Sequence, residues 1–240
     1  VFRYPGEGRS ALEDIRVFLP KGKTLGVVGP VGGGKTTLLR LLLRQYPLEK
    51  GEIRMGGRPL SDYRLEALHR AIAYVPQDPF LFSATVAENI AFGRPGASLE
   101  EIQEAALLAR VHEDILSFPE GYRTLVGERG VTLSGGQRQR ISLARALLQG
   151  AEVFLLDDTL SAVDGQTEAL ILQHLQELSQ HHTVVIVAHR LSAVEHADEI
   201  LVLDGGRIRE RGSHGELLRQ GGWYAQVYRG QKMAAGEVVG

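Results

Sequence analysis

Short apolar runs alternate with helical patterns along most of the chain, and this alternation indicates the fold class. The apolar runs are rich in Val, Ile and Leu, each is followed by loop residues, and they occupy residues 24–28, 72–75, 153–156, 183–188 and 199–203. Continuous apolar runs are typical of strands that are covered on both faces of a parallel sheet. Because strands that alternate with helices form βα units, we predict an α/β fold with a mainly parallel sheet.

The segment from about residue 85 to residue 150 departs from this alternation, because helical patterns follow one another there with no strand between them. Predicted helices cover residues 85–91, 99–109, 112–117 and 137–148, and a separate one covers residues 36–46. We interpret the strand-free segment as a helical subdomain inserted between strands of the sheet. The expected organisation is one domain, residues 1–240, with a core of about 1–84 and 151–230, a helical subdomain of about 85–150 and a tail at 231–240.

The overall composition excludes several classes of function. The 240 residues are 43% hydrophobic and 23% charged with a net charge of −2, so the basic excess of a nucleic-acid-binding groove is absent. The lack of Cys excludes disulfides, thiolate metal sites and Cys nucleophiles, and it favours a reducing cytosol. No apolar run approaches the roughly 18 to 20 residues of a membrane-spanning helix. Because the chain opens without Met inside a predicted strand, we expect it to be a piece of a larger protein.

A glycine-rich loop follows the first predicted strand and opens a predicted helix. It fits the pattern G-x-x-x-x-G-K-[ST], whose glycines let backbone N–H groups converge on phosphate oxygens. The helix dipole adds positive charge, Lys35 is expected to reach the β- and γ-phosphates, and Thr36 is expected to offer its hydroxyl to Mg²⁺. A plain glycine-rich turn is the alternative, and the strand–loop–helix context argues against it. The expected phosphate-binding residues are Gly29, Pro30, Val31, Gly32, Gly33, Gly34, Lys35 and Thr36.

A carboxylate pair, Asp157 and Asp158, ends the apolar strand predicted at residues 153–156. Asp157 is expected to lie at the sheet edge where parallel strands place ligands and to hold Mg²⁺ through water. Asp158 occupies the position that polarises the attacking water, where the longer Glu is usual. Its carboxylate is set back by ~1.5 Å from the position that a Glu carboxylate would reach. A misplacement of a catalytic group by about 1 Å costs on the order of 100-fold in rate. We therefore expect tight ATP binding and slow hydrolysis; the alternative is that Asp substitutes adequately for Glu.

Two further polar residues end strands at the same predicted edge. His189 is a candidate γ-phosphate sensor or orienter of the attacking water, although a lone His is more often structural. Gln77 is a candidate Mg²⁺ ligand that reports the presence of the metal to the helical subdomain. The candidate catalytic residues are therefore Asp158, His189 and Gln77, and the candidate metal ligands are Thr36, Gln77 and Asp157.

A second phosphate-facing motif precedes the helix predicted at residues 137–148. Small residues at a helix N-terminus form an anion site, although a Ser-Gly-Gly turn that caps a helix is common by itself. Two such sites in one domain favour a two-subunit arrangement, in which each chain also contacts the ATP held by its partner. The residues expected to make that contact are Ser134, Gly135, Gly136 and Gln137.

Taken in order, these motifs resemble the nucleotide-binding domain of ABC transporters over essentially the whole chain. The resemblance rests on a Walker A, a Q-loop, a signature, a Walker B, a D-loop and a switch His at residues 29–36, 77, 133–137, 153–157, 161–164 and 189. It implies a P-loop NTPase with a RecA-like, mainly parallel sheet core, an N-terminal antiparallel β part and an inserted α-helical subdomain. It also implies ATP and Mg²⁺ as cofactors, adenine stacking by Tyr4, nucleotide contact by Thr37 and dimer communication by Asp164.

Two segments resemble the exporters within that family. Residues 80–90 are exporter-like, and residues 124–130 look like the X-loop that contacts coupling helices of the membrane domain, which makes Glu128 the expected coupling residue. An ordinary solvated acid is the alternative for Glu128. Asp158 and the D-loop after it resemble the less active half of bacterial heterodimeric multidrug exporters. Val31, where small hydroxylated residues are common, is a milder departure.

The resemblance also sets the expected partners and location. ATP-driven dimerisation would power export, this chain's own site would hydrolyse ATP slowly, and its signature would complete the partner's site. The expected partners are a second, different ABC nucleotide-binding domain and the transmembrane domains of both chains, at the cytoplasmic face of the cell (inner) membrane, without nucleic acid. The alternatives are a homodimeric exporter with two hydrolysing sites, a regulatory nucleotide-binding module, and a soluble ABC ATPase acting on ribosomes or DNA. Charge and the X-loop argue against the last of these.

Overall fold

The computed structural model describes residues 1–127 and 132–236. Contacts between residues divide the chain into two compact units: Val1–His69 with the described residues from Thr183 onward, and Arg70–His182. Within the described ranges, none of the helices combines the length and the apolar character that crossing a bilayer demands. The elements are β1 (Thr24–Val28), α1 (Lys35–Leu42), β2 (Arg54–Met55), β3 (Arg58–Pro59), α2 (Leu65–Ala71), β4 (Ile72–Val75), α3 (Val86–Ala91), α4 (Leu99–Leu108), α5 (His112–Leu116), α6 (Gly135–Gln149), β5 (Val153–Asp157), α7 (Gly165–Ser179), β6 (Thr183–Val187), β7 (Glu199–Asp204), β8 (Arg207–Gly212), α8 (His214–Gln220) and α9 (Trp223–Ala234).

The first unit is built around β1. This strand pairs in parallel with β6 on one side and with β7 on the other, and β8 continues the sheet antiparallel to β7. Every residue of β1 is buried, as its continuous apolar sequence requires. Antiparallel pieces lie near the N-terminus: β2 pairs with β3, and Phe2 forms a bridge with Leu12. The mainly parallel sheet and these antiparallel pieces confirm the predicted fold class.

The second unit combines the parallel pair β4 and β5 with a group of helices. Helix α6 is central to that group, since Ile141 and Leu143 are buried and α3 and α4 pack against it. Helices α3, α4 and α6 each begin with a capping box, at Thr85, Ser98 and Ser134. In a capping box, two N–H groups that a helix start leaves unpaired are satisfied by side chains. The starts of these helices are therefore fixed locally, which sets where the signature turn lies relative to α6.

Several boundaries differ from those expected. The helix predicted at residues 36–46 ends at Leu42, because Leu43 caps it and Arg44 adopts a left-handed backbone conformation with φ of 53°. The tail expected from residue 231 begins inside α9, which continues to Ala234. The predicted helical subdomain, about residues 85–150, lies within the second unit together with β4 and β5. Helices α2, α7, α8 and α9 and strand β8 have no counterpart among the predicted elements.

Candidate nucleotide site

The phosphate loop connects β1 to α1 in the first unit. A Cβ at Gly29 or at Gly33 would collide with the carbonyl oxygen of Leu203 in β7, so only glycine fits at these two positions. At Gly32 a Cβ would meet no heavy atom within 4 Å, and there the φ of 78° favours glycine. At Gly29 and Gly33 the loop therefore lies directly against the backbone of β7 without intervening side chains.

Lys35 begins α1, and its ammonium group lies over the phosphate loop. Its Nζ donates hydrogen bonds to the carbonyl oxygens of Gly29, at 2.8 Å, and Pro30, at 2.9 Å. Only 6% of Lys35 is exposed, and a desolvated cation strongly favours an anionic partner. Thr36 follows in the first turn of α1, while Val31 is 90% exposed, so its departure from the usual small residue does not disturb the packing of the loop.

Tyr4 lies next to the phosphate-loop helix. Its hydroxyl is hydrogen-bonded to Oγ1 of Thr37 at 3.0 Å. Its ring meets Phe2 and Tyr46 edge to face, with centroids 4.9 Å and 5.2 Å away. The structure therefore brings together Tyr4 and Thr37, two of the residues expected to contact the nucleotide.

His189 follows β6, the strand that pairs directly with β1. The preceding residue, Ala188, donates its N–H to the carbonyl oxygen of Val27 at 3.2 Å, which extends the pairing of the two strands. His189 itself is exposed. Because β6 and β1 are parallel neighbours, His189 and the phosphate loop leave the sheet at the same edge, as the sequence predicts.

In the second unit, the carboxylate pair lies at the end of β5, and both residues are buried, with 3% of Asp157 and 8% of Asp158 exposed. The hydroxyl of Tyr74 on the neighbouring strand β4 donates to Oδ2 of Asp157 at 3.2 Å. Asp158 has a φ of 49°, in the left-handed region that Asp and Asn adopt more readily than most residues. Its carbonyl oxygen accepts hydrogen bonds from the hydroxyl of Ser161, at 2.9 Å, and from the Ser161 N–H, at 3.3 Å. Ser161, the first residue of the expected D-loop, therefore fixes the turn that follows the carboxylate pair.

Gln139, on the buried face of α6, connects the Q-loop and the D-loop. Its Nε2 donates to the carbonyl oxygen of Gln77 at 3.5 Å and to Oγ of Ser161 at 3.2 Å, and its Oε1 accepts from the N–H of Ala162 at 3.1 Å. Only 5% of Gln139 is exposed. Gln139 is not among the residues predicted from the sequence, although a polar side chain on the apolar face of a predicted helix was a signal for it.

The signature turn is fixed at the start of α6. Ser134 accepts a hydrogen bond from the N–H of Gln137 at 3.1 Å, and its own N–H donates to Oε1 of Gln137 at 3.0 Å. Ser134 is exposed, and its hydroxyl oxygen keeps a proton to donate. The Nε2 of Gln137 in turn donates to Asp114 of α5 at 3.0 Å, and Arg140 pairs with the same carboxylate at 2.8 Å. The capping box and Asp114 together orient the turn.

Asp114 is not among the residues predicted from the sequence, because its partners Gln137 and Arg140 lie more than twenty residues away in the chain. Burial opposes the ionisation of Asp114, but hydrogen bonds from Gln137 and Arg140 outweigh it and hold the pKa of the carboxyl below its usual value. The carboxylate is therefore charged at neutral pH and serves as a fixed anchor for the start of α6.

Asp164 and Glu128 are the two remaining residues predicted from the sequence. Asp164 caps α7: its Oδ1 accepts from the N–H of Thr167 at 3.0 Å, and hydrogen bonds from Thr167 hold the pKa of the exposed carboxyl below its usual value. Its expected role in dimer communication stays a prediction. Glu128, the expected coupling residue, lies outside the described residues.

The chemistry of these side chains fits ATP and Mg²⁺. Asp157 supplies a carboxylate and Thr36 a hydroxyl, and both are the hard oxygen ligands that Mg²⁺ prefers. Lys35 supplies a buried ammonium group, and its neighbours in the glycine loop supply backbone N–H groups. Within the first unit, Lys35 and the glycine loop can therefore bind a polyphosphate.

Comparison with known proteins agrees with this chemistry. A family model described as ABC transporter matches residues 12–161. The "Multidrug resistance-like ATP-binding protein MdlA" of Escherichia coli (strain K12) is 52% identical over 98% of this chain and 40% of its own length. The "Probable multidrug resistance ABC transporter ATP-binding/permease protein YheI" of Bacillus subtilis (strain 168) is 49% identical over 100% of this chain and 41% of its own length.

A solved structure has the same fold. It is described as "Structure of a bacterial Atm1-family ABC exporter with ATP bound", and it matches 96% of this chain and 40% of its own with a TM-score of 0.91 and 41% identity. The chain thus spans about two fifths of the length of the relatives it matches. The family match and the relatives together establish that the chain belongs to the ABC transporter family and is an ATP-hydrolysing nucleotide-binding domain of the exporter type.

Proposed function

We propose that this chain is the motor domain of a bacterial multidrug exporter and forms the slow half of a heterodimer. The observation that carries the proposal is Asp158, which occupies the position of the residue that polarises the attacking water. Two relatives have multidrug resistance in their names, and on that ground we propose a lipophilic drug or lipid as the transported substrate. The domain would work at the cytoplasmic face of the cell (inner) membrane, attached to its own transmembrane domain.

Each candidate residue has a defined task in this proposal. Lys35 and the backbone of the phosphate loop bind the ATP phosphates, and Tyr4 stacks on the adenine. Asp157, Thr36 and Gln77 hold Mg²⁺, which when bound neutralises charge on the phosphate oxygens. His189 orients the γ-phosphate and the water. The buried cation of Lys35 and the close packing of Gly29 and Gly33 on the backbone of β7 support the assignment of the phosphate loop.

The slow hydrolysis follows from side-chain length and backbone conformation. A carboxylate set back by one carbon–carbon bond is displaced by ~1.5 Å, and a displacement near 1 Å costs on the order of 100-fold in rate, or ~2.7 kcal/mol. The left-handed φ of 49° at Asp158 suits a short polar side chain. A local backbone shift that moves the carboxylate forward would have to break the two hydrogen bonds from Ser161.

The signature turn is proposed to complete the partner's site. Ser134 is exposed, carries a hydroxyl proton and lies at the N-terminus of α6, where the helix favours an anion. Asp114 and Arg140 hold this turn in place from within the same unit. An intact signature beside a weakened carboxylate therefore supports a division of labour between two different chains.

A patch of exposed aromatic rings is proposed to contact the membrane domain. Phe80 is 67% exposed, Phe82 37% and Phe92 60%, and the rings contact one another with centroid distances of 5.1 Å and 4.5 Å. The guanidinium of Arg145 lies 5.6 Å from the Phe82 ring and 5.8 Å from the Phe92 ring. Thr85, three residues after Phe82, forms a bridge with Leu125 of the expected X-loop. Clustered exposed rings of this kind mark docking surfaces.

The decisive experiment compares the steady-state ATPase activity of this chain with that of Asp158→Glu and Asp158→Asn, at concentrations that allow dimerisation. We expect slow turnover in the parent, an increase on the order of 100-fold in Asp158→Glu and no turnover in Asp158→Asn. Asp62→Glu, a change of the same kind at an exposed position, is the matched control and should behave as the parent. Brisk hydrolysis by the parent would contradict the proposal and favour a homodimer with two working sites.

A further inference from the structure

The loop that carries His189 is held by a side chain of the C-terminal helix. Gln231, in the last turns of α9, accepts a hydrogen bond at its Oε1 from the N–H of Leu191 at 2.9 Å. Its Nε2 donates to the carbonyl oxygen of His189 at 2.8 Å. A single amide group therefore bonds both the N–H of Leu191 and the carbonyl oxygen of His189, because a Gln side chain carries an acceptor and a donor side by side.

The rest of this loop is fixed on its other sides. Ala188 is joined to β1 through its N–H and the carbonyl oxygen of Val27, at 3.2 Å. The side chain of Leu191 is fully buried at the start of the short 3-10 turn Leu191–Val194. The backbone of His189 lies between these two anchors, and the side chain of Gln231 contacts its carbonyl oxygen.

The attachment of α9 to the first unit does not depend on Gln231. At its N-terminal end, the N–H groups of Trp223 and Tyr224 donate to the carboxylate of Glu210. Tyr224 is fully buried, and its hydroxyl is hydrogen-bonded to Nδ1 of His214 at 2.8 Å. Loss of the Gln231 amide should therefore release the loop without detaching the helix.

We propose that Gln231 is a positioning residue for ATP hydrolysis, which sets the backbone of His189 and through it the direction of the imidazole. The inference rests on the proposed role of His189 at the γ-phosphate. Since displacements near 1 Å cost on the order of 100-fold, partial release of this loop should lower kcat by about 10-fold. The affinity for ATP should not change, because Gln231 contacts neither the phosphate loop nor Tyr4 in the described structure.

The test uses the full-length protein assembled with its partner, in an Asp158→Glu background that gives measurable turnover from this site and with Ser134→Arg to suppress hydrolysis in the partner's site. Gln231→Leu keeps a side chain of similar size and removes the hydrogen bonds to both Leu191 and His189. Gln231→Glu keeps an oxygen that accepts from the Leu191 N–H but loses the group that donates to the His189 carbonyl oxygen. Gln226→Leu is the matched control, since Gln226 is an exposed glutamine of the same helix. Hydrogen exchange at the Leu191 amide, kcat, KM for ATP and the midpoint of thermal unfolding are measured for each variant.

We expect Gln231→Leu to accelerate exchange at Leu191 and to lower kcat by about 10-fold, with unchanged KM and an unfolding midpoint close to that of Gln226→Leu. Gln231→Glu should retain slow exchange at Leu191 and have an intermediate kcat. Faster exchange with unchanged kcat would overturn the proposal, as would a kcat that falls only together with the unfolding midpoint. Full turnover in His189→Ala would also overturn it.

Failure of the proposed function is distinguishable from failure of this inference. If Asp158→Glu gives no turnover, the assignment of Asp158 fails, but exchange at Leu191 and the ring resonance of His189 in the ATP-bound protein still report on the loop. In that case a shifted His189 resonance in Gln231→Leu, with none in Gln226→Leu, supports the positioning role. An unshifted resonance overturns it.

Discussion

Gln139 shows how a single buried amide can link motifs that lie far apart in the chain. It contacts the carbonyl oxygen of Gln77, the hydroxyl of Ser161 and the N–H of Ala162. Ser161 in turn donates to the carbonyl oxygen of Asp158, so a change at the Q-loop can be transmitted to the backbone beside the carboxylate pair. Unpaired buried polar groups are costly, which makes this arrangement stable only while every partner is present.

We expect Gln139→Leu to lower the free energy of unfolding by about 1–3 kcal/mol, because it leaves the Ala162 N–H without its acceptor. Denaturation by urea measures this change. Gln173→Leu, at an exposed position of α7, is the control and should be nearly neutral. Equal effects of the two substitutions would show that the network contributes no stability.

Lys35→Ala should abolish ATP binding by this chain, because it removes the buried cation over the phosphate loop. A direct nucleotide titration by calorimetry measures the effect, and Lys21→Ala, at an exposed position before β1, should bind as the parent does. An unchanged affinity in Lys35→Ala would contradict the assignment of the phosphate site.

At the scale of elements, the strands were predictable and several connections were not. The runs at residues 24–28 and 72–75 coincide with β1 and β4, because buried strands must be apolar throughout. Strand β8 alternates exposed and half-buried residues at the end of the sheet and gives no apolar run. The end of α1 is set by a left-handed backbone at Arg44, which its sequence of leucines does not indicate.

The candidate site was predictable where the chemistry is local and not where partners are distant. The glycine loop and the carboxylate pair are contiguous motifs, whereas Gln139, Asp114 and Gln231 act through residues 22 or more positions away. The pairing of Gln231 with the His189 carbonyl spans 42 residues. The hydrophobic pattern can mark a buried polar residue such as Gln139, but it does not identify the distant residue that such a side chain contacts.

The contact between α8 and α9 should make stability depend on pH. Burial lowers the pKa of His214, against the attraction of Glu195, and its Nδ1 is hydrogen-bonded to Tyr224. Because the pKa of His214 is lower in the folded protein than in the unfolded chain, the unfolded chain binds a proton on this residue at a higher pH than the folded protein does. The free energy of unfolding should therefore decrease below about pH 6.5.

Urea denaturation between pH 8 and pH 5 measures this dependence. His196 and Lys232 also act on the His214 ring. The contribution of His214 is therefore isolated by comparing the parent with a variant that lacks this histidine. His214→Gln should have a shallower loss of stability with acidity, while His181→Gln, at an exposed position, should keep the slope of the parent. Identical slopes in the parent and in His214→Gln would exclude His214 as the source.

At the scale of the whole molecule, the proposed function requires two chains. The described residues of this chain provide a phosphate loop with a buried cation and a signature turn with an exposed hydroxyl. The first is proposed to serve the chain's own ATP and the second the ATP of the partner. A change in one motif should therefore affect one nucleotide and leave the other unaffected.

Ser134→Arg should suppress hydrolysis in the partner's site while ATP binding by this chain is unchanged, because the bulky cation fills the turn that faces the partner's nucleotide. The measurement is ATPase activity of the assembled pair together with nucleotide titration of this chain alone. Ser61→Arg, at an exposed serine of the first unit, controls for the added charge. If the pair keeps its activity with Ser134→Arg, the shared-site arrangement is wrong.

The position of Gln231 affects the choice of fragment for any biochemical study of this domain. The sequence suggests a tail from residue 231, but α9 continues to Ala234 and Gln231 holds the His189 loop. A fragment that ends at residue 230, or a fusion tag that unwinds the last turn of α9, would fold and yet lose this support. Its low turnover would then be attributed to Asp158 when the cause is the missing glutamine.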